Sequence, residues 1–188
     1  VTDVSVFLRD TDTFSTRTVI LSSPQRTPEV HGHRGCAGPV PENSIPAFLR
    51  AMEIGCPWIE MDVVITGDGQ VLVSHEPWMD TLLCRKPDGT RMTEEEGRAA
   101  NIFGMTLSEV QTFHCLPKTG ISTSTPLPKN WRKPTLAEVV QAPDSFATEH
   151  RLAPVNFPIE IKSEPELYGT YQQVPVSLAE QVLKIGRA

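Results

Sequence analysis

No stretch of this 188-residue chain approaches the roughly 20 consecutive apolar residues of a membrane-spanning helix. Basic charge is also short. With 17 Lys and Arg against 23 Asp and Glu, the formal net charge is -6, which argues against a nucleic-acid partner. The cysteines, Cys36, Cys56, Cys84 and Cys115, show no C-x-x-C spacing. That argues against a zinc ribbon or a thioredoxin-type pair. A disulfide stays open, although a chain of this length does not need one. Internal repeats and low-complexity tracts are absent. The first residue is Val1 rather than Met, so a processed chain or a fragment is expected, and a signal segment could already have been removed. The compartment is unknown from sequence: a soluble chain, cytoplasmic or exported after signal removal, fits equally.

What is present suits one globular domain with a real core. Residues 1–28 read as an N-terminal extension, with a single apolar run, Val19-Ile20-Leu21, ended by Pro24 and Pro28. From residue 29 the pattern becomes strand, turn, helix. Residues 29–33 suit a short strand, and a Gly/Pro-rich turn follows. Ile45, Phe48, Leu49 and Met52 then recur on one helical face. Asn43 is placed to cap that helix, Pro46 to sit in its first turn and Gly55 to stop it. Residues 58–65 alternate and are rich in β-branched types, as a strand requires. Gly67-Asp68-Gly69 marks a turn before a strand at 71–74.

Residues 77–134 read as an irregular insertion containing two capping boxes, Thr93-x-x-Glu96 and Thr106-x-x-Glu109, each predicting a short helix. A third box, Thr135-x-x-Glu138, opens a helix with Leu136, Val139 and Val140. A strand at 155–161 follows. Ser177-x-x-Glu180 then starts a last helix, closed by Gly186. Strands alternating with helices predict β/α units and a parallel sheet. The fold class is therefore α/β, of (β/α)8 TIM-barrel type. About four β/α units are present where a closed barrel needs eight and typically ~250 residues, so residues 29–188 read as its first half. Half a barrel exposes a sheet edge and an apolar face, which calls for self-association or a missing C-terminal half.

The chemistry-bearing residues sit at or near predicted strand ends. Glu60 and Asp62 are two apart on a strand, so both point to one face. Two carboxylates on an inward face repel unless a cation lies between them, and hard oxygen ligands suit Mg²⁺ or Ca²⁺. Apolar Ile59, Met61 and Val63 take the opposite register, toward the helices. Ordinary surface acids are the competing explanation. His33 and His75 end two different strands and can exchange protons near neutral pH. His31 reads as packing, and His114 and His150 as surface. Arg34 can grip a phosphate with two parallel hydrogen bonds, or it can simply pair with Glu42. Glu160 and Lys162 again share a face and serve either as metal and phosphate ligands or as an intrastrand ion pair.

Taken together, these residues resemble the glycerophosphodiester phosphodiesterase family. The matching strings are His33-Arg34-Gly35, Pro41-Glu42-Asn43-Ser44 with Ala47-Phe48, Ile59-Glu60-Met61-Asp62-Val63, Asp68-Gly69, Val73-Ser74-His75 and Ile159-Glu160-Ile161-Lys162. The resemblance implies a barrel hydrolase that cleaves glycerophosphodiesters to an alcohol and glycerol 3-phosphate. It implies a divalent metal, Mg²⁺ or Ca²⁺ with Mn²⁺ as a further candidate, held by Glu60, Asp62 and Glu160. His33 and His75 would be general acid and base. Arg34 and Lys162 would hold the substrate phosphate, supported by Glu42. The insertion at 77–134 would cover the mouth of the site. The alternatives are a related phosphodiesterase, phospholipase-D-like or phosphoinositide-phospholipase-C-like, or an inactive incomplete barrel.

Overall fold

The computed structural model of the protein describes residues 4–8, 30–38, 40–115, 131–162 and 164–186. In chain order its elements are β1 (Val4–Leu8), β2 (His31–Gly32), α1 (Ile45–Glu53), β3 (Trp58–Ile59), β4 (Met61–Ile65), β5 (Val71–Val73), β6 (Cys84–Arg85), α2 (Glu94–Ala99), α3 (Leu107–Val110), β7 (His114–Cys115), α4 (Leu136–His150), β8 (Phe157–Ile161) and α5 (Pro175–Ile185). Helices and strands are mixed, and the described sheet is open rather than closed into a barrel. The main sheet has the order β1-β8-β4-β5. β1, β8 and β4 run parallel, with Asp62 directly opposite Glu160. β2 and β3 form a second parallel pair.

The expected strand at 58–65 is one path broken at Glu60, whose N–H turns to the Gly32 carbonyl at 3.0 Å. The expectation of parallel pairing fails at β5, which is antiparallel to β4 with Val63 opposite Val73. The reason is the length of the link. Only residues 66–70 connect the two strands, and a parallel crossover needs a dozen or more. Gly69, at φ +80, and the Thr66 to Gln70 hydrogen bond close a hairpin instead. Val4–Leu8, placed within the extension on sequence grounds, is a strand alongside β8. The Val19-Ile20-Leu21 run and the stretch 116–130 of the insertion lie outside the described residues.

Helix starts follow the chemistry of single side chains. Ser44, not Asn43, caps α1, its Oγ accepting from the Ala47 N–H at 3.2 Å. Thr93, Thr106 and Thr135 each form the expected capping box. The box expected at Ser177 does not open α5. That helix begins at Pro175, whose fixed φ suits a first helical position, and its cap Val174 makes no side-chain bond.

Two cores result from the two-residue period of the strands. Met61, Val63, Ile65 and Val73 join Ile159, Ile161 and the inner faces of α1, α4 and α5, including Phe48, Val139 and Val182. Each such buried side chain contributes about 1.5–3 kcal/mol. Val64 and Leu72 face the other way, into a second core with Met79, Ile102, Val110 and Trp131. The described part of the insertion is therefore an ordered layer with its own apolar centre. Within it Cys84 and Cys115, opposite each other on β6 and β7, form a disulfide, whereas Cys36 and Cys56 are free thiols. The pair spans 31 residues. Cys84→Ser is accordingly expected to destabilise this layer by about 3–4 kcal/mol on the chain-entropy estimate. Thermal unfolding with and without reductant checks this, because reductant should lower the wild-type midpoint and leave the variant unmoved.

Candidate active site

The site begins where β2 runs out. Gly35, at φ +82, brings the chain so close to α1 that a Cβ there would lie 2.7 Å from the Ala47 backbone. That contact fixes the His33-Arg34-Gly35 turn against the helix start. The Arg34 N–H donates to Glu60 Oε2 at 2.8 Å. Its guanidinium reaches Glu42 Oε1 at 2.7 Å and Asp62 Oδ2 at 3.1 Å. Asn43 has φ 54, a left-handed conformation that Asn tolerates better than most residues. From there its Nδ2 donates to Asp62 Oδ2 at 2.9 Å, and its Oδ1 accepts from the Asp62 N–H at 3.2 Å. Asn43 thus fixes both the backbone and the carboxylate of Asp62, which is fully buried.

From β8 and the residue beyond it, Lys162 Nζ lies 2.8 Å from Glu160 Oε1 and 3.4 Å from Asp62 Oδ1. Ligand atoms of Glu60, Asp62 and Glu160 all fall within 4.8 Å of one another. Burial holds the Glu60 carboxyl above its ordinary range; the Arg34 N–H opposes that shift, and the charge of Asp62 adds to it.

The two histidines are placed differently. His33 is largely exposed, with Nε2 3.9 Å from Glu60 Oε2, at the rim of the acidic group. The β4–β5 hairpin carries His75 back to the level of Asp62, where the Ser74 N–H donates to the Asp62 carbonyl at 3.0 Å. The His75 ring pairs with Glu76, Nδ1 to Oε1 at 2.8 Å. That bond holds the Glu76 carboxyl below its ordinary value of 4.5. A depressed carboxyl favours the fold above its unfolded pKa, so this contribution is lost as pH falls through the lowered value.

The structure therefore joins Arg34, Glu42, Glu60, Asp62, Glu160 and Lys162 in one network with His33 at its edge. His75 is tied to Glu76 rather than to a member of that network. His31 is exposed and stacks on Trp58 at 5.4 Å between ring centres, a packing role. On sequence Asn43 is a helix cap within one family-like string and Ser74 a member of another, neither with a role in the site, and Lys133 carries no signal. For Asn43 the available signal was the polar residue standing directly before a second, better cap, Ser44.

The donor set suits a hard divalent cation. Glu60, Asp62 and Glu160 bring carboxylate oxygens within 4.8 Å of one another, with Arg34 and Lys162 beside them. Glu60 Oε1 and Asp62 Oδ1 are buried and accept no hydrogen bond among the described residues. Oxygen atoms left in that state are what Mg²⁺ or Ca²⁺ would coordinate.

Comparison with known proteins agrees with this geometry. The model of the glycerophosphoryl diester phosphodiesterase family matches residues 33–187. A glycerophosphodiester phosphodiesterase of Caldanaerobacter subterraneus is 51% identical over 51 residues, 27% of this chain and 21% of that protein. A human lysophospholipase D is 50% identical over 44 residues, 23% of this chain and 14% of that one. Among solved structures, a glycerophosphoryl diester phosphodiesterase of Silicibacter pomeroyi aligns with a TM-score of 0.65 at 23% identity, covering 85% of this chain and 53% of its own. An Oleispira antarctica phosphodiesterase, solved with the product sn-glycerol-3-phosphate, aligns at 0.56 and 22% identity, covering 84% and 52%. The chain thus spans about half the length of these TIM-barrel relatives, and by the extent of the family match it belongs to the glycerophosphoryl diester phosphodiesterase family of hydrolases.

Proposed function

We propose that this chain supplies the catalytic face of an enzyme that hydrolyses glycerophosphodiesters to an alcohol and glycerol 3-phosphate. The observation that carries this is the convergence of Glu60, Asp62 and Glu160, with two of their buried oxygens accepting no hydrogen bond among the described residues. Those three residues would hold the divalent metal. When bound, it supplies Lewis-acid polarisation of the phosphoryl oxygens and offsets the carboxylate charge.

The remaining steps belong to side chains of this chain. The Arg34 fork, steadied by Glu42, orients the phosphodiester, and Lys162, just beyond β8, supplies a second positive charge. In this reading His33, exposed at the rim, and His75, held through Nδ1 by Glu76, give and take protons at the leaving and attacking oxygens. An ionised Glu76 can only accept a hydrogen bond, so the neutral His75 ring donates from Nδ1 and keeps Nε2 as the basic atom. The substrate is a small glycerophosphodiester. The open sheet makes self-association, or docking of a C-terminal half, part of the same proposal.

The test is product analysis with glycerophosphocholine and glycerophosphoethanolamine, in the presence of Mg²⁺, Mn²⁺ or Ca²⁺, on this chain and on one extended to the family's length. Release of glycerol 3-phosphate supports the proposal. Phosphocholine, phosphoethanolamine or a cyclic phosphate as the product would move the chain to one of the related phosphodiesterase classes. In the same assay Arg34→Lys should lower kcat/KM by about tenfold or more, because an ammonium cannot reproduce the planar fork that spans Glu42 and Asp62. Unchanged kinetics would leave Arg34 with its ion pairs to Glu42 and Asp62 and no substrate contact.

A further inference from the structure

We propose that Lys133 is a positioning residue for His75, acting through the hydroxyl of Ser74, a role that rests on the reading of His75 as an acid–base group. Lys133 is almost fully buried, at 5% exposure. Lysine is almost never found in that state without a specific partner. Its hydrogen bond goes to Ser74 Oγ at 2.7 Å. The same hydroxyl donates to the Glu76 carbonyl at 2.7 Å, and the Ser74 N–H donates to the Asp62 carbonyl at 3.0 Å. One ammonium therefore holds the turn that carries His75 and Glu76 and ties it to the strand of Asp62.

The backbone around Lys133 enforces the placement. The Pro134 carbonyl accepts from the Val73 N–H at 2.9 Å, and Thr135 bridges Leu72 in the antiparallel sense. Residues 133–135 thus lie against β5, so Lys133 can enter only beside Ser74. The charged groups that favour its ammonium are Asp80, Glu42, Glu76 and Asp62, in falling order, and they oppose the burial that pushes its pKa down to about 8. Glu42 and Asp62 belong to the acidic network, whereas Glu76 is the carboxylate on His75. Lys133 thus shares charge interactions with both, while the hydrogen bond from His75 is the larger cause of the lowered Glu76 carboxyl. An ionised Glu76 fixes the Nδ1–H tautomer of His75, and the Ser74 turn fixes where the ring stands.

The experiment reads the tautomer directly, from the ring ¹⁵N shifts of His75 at a pH where the ring is neutral, in the full chain. In wild type the Nδ1–H form should dominate. In Lys133→Met the ratio of the two tautomers should fall at least about fivefold, with His33 unmoved, and Lys133→Arg should restore part of it. Where turnover is measurable, kcat should fall about tenfold while KM stays within about twofold. Should Lys133→Met fail to fold, Ser74→Ala cuts the same link without removing the charge, and the same loss of tautomer preference is expected. A folded Lys133→Met or Ser74→Ala chain with an unchanged His75 tautomer ratio overturns the proposal. A shifted ratio, together with no release of glycerol 3-phosphate by a family-length chain, supports the link and faults the catalytic reading instead.

Discussion

Asp62→Asn is expected to weaken binding of Mg²⁺, Ca²⁺ or Mn²⁺ by at least about tenfold, or about 1.4 kcal/mol, while leaving the fold intact. The two oxygens of Asp62 do different work. Oδ2 accepts from Asn43 Nδ2 and lies 3.1 Å from Arg34 Nε, so an amide oxygen can replace it there. The amide nitrogen must then occupy the position of Oδ1, which accepts no hydrogen bond among the described residues and faces Lys162 at 3.4 Å. A donor at that point cannot ligate a cation and meets an ammonium. Shape is kept and coordination is lost. The check is the rise in unfolding midpoint on adding metal, because a ligand stabilises only the state that binds it. A metal-dependent rise equal to that of wild type would remove Asp62 from the coordinating set.

The larger effect on turnover is expected at the histidines. His33→Ala and His75→Ala should each lower kcat by about 10²–10⁴ in a family-length chain containing these residues. The double variant should lose less than the product of the two, since acid and base act on one transition state. The structure separates the two single variants. His33 lies at the rim, 3.9 Å from Glu60, and its removal leaves the acidic network in place. Removing His75 also leaves Glu76 without its ring partner. Steady-state kinetics decide the matter: a normal kcat in either single variant excludes that residue as acid or base, and a strictly multiplicative double variant means the two act independently.

Much of this arrangement was legible in the chain because it is carried by spacing. Glu60 and Asp62, and Glu160 and Lys162, are two apart at the start of β4 and the end of β8, with Glu60 and Lys162 just outside those strands, and the two-residue period of extended chain brings each pair to one side. The Thr93, Thr106 and Thr135 boxes are equally local, and all three form. What sequence missed depends on chain path. The β5 register turned on counting the link at 66–70 rather than on the strand pattern itself. Asn43 looks like a cap until its left-handed backbone turns its amide onto Asp62. Lys133 gives no local signal, because its partner Ser74 is 59 residues away. The second core under the insertion was hidden in the same way: its residues alternate with loop residues and show no period, yet Val64 and Leu72 give them a surface to pack on.

The central claim is that Glu60, Asp62 and Glu160 form one divalent-metal site, and calorimetric titration of Mg²⁺, Ca²⁺ and Mn²⁺ into metal-free chain tests it most directly. The account predicts one ion bound per chain, with a preference for these hard cations over softer ones, and loss of that binding when Glu60 or Glu160 is changed to Gln. Absence of binding in a folded chain, or a stoichiometry and affinity unchanged by both substitutions, would contradict it.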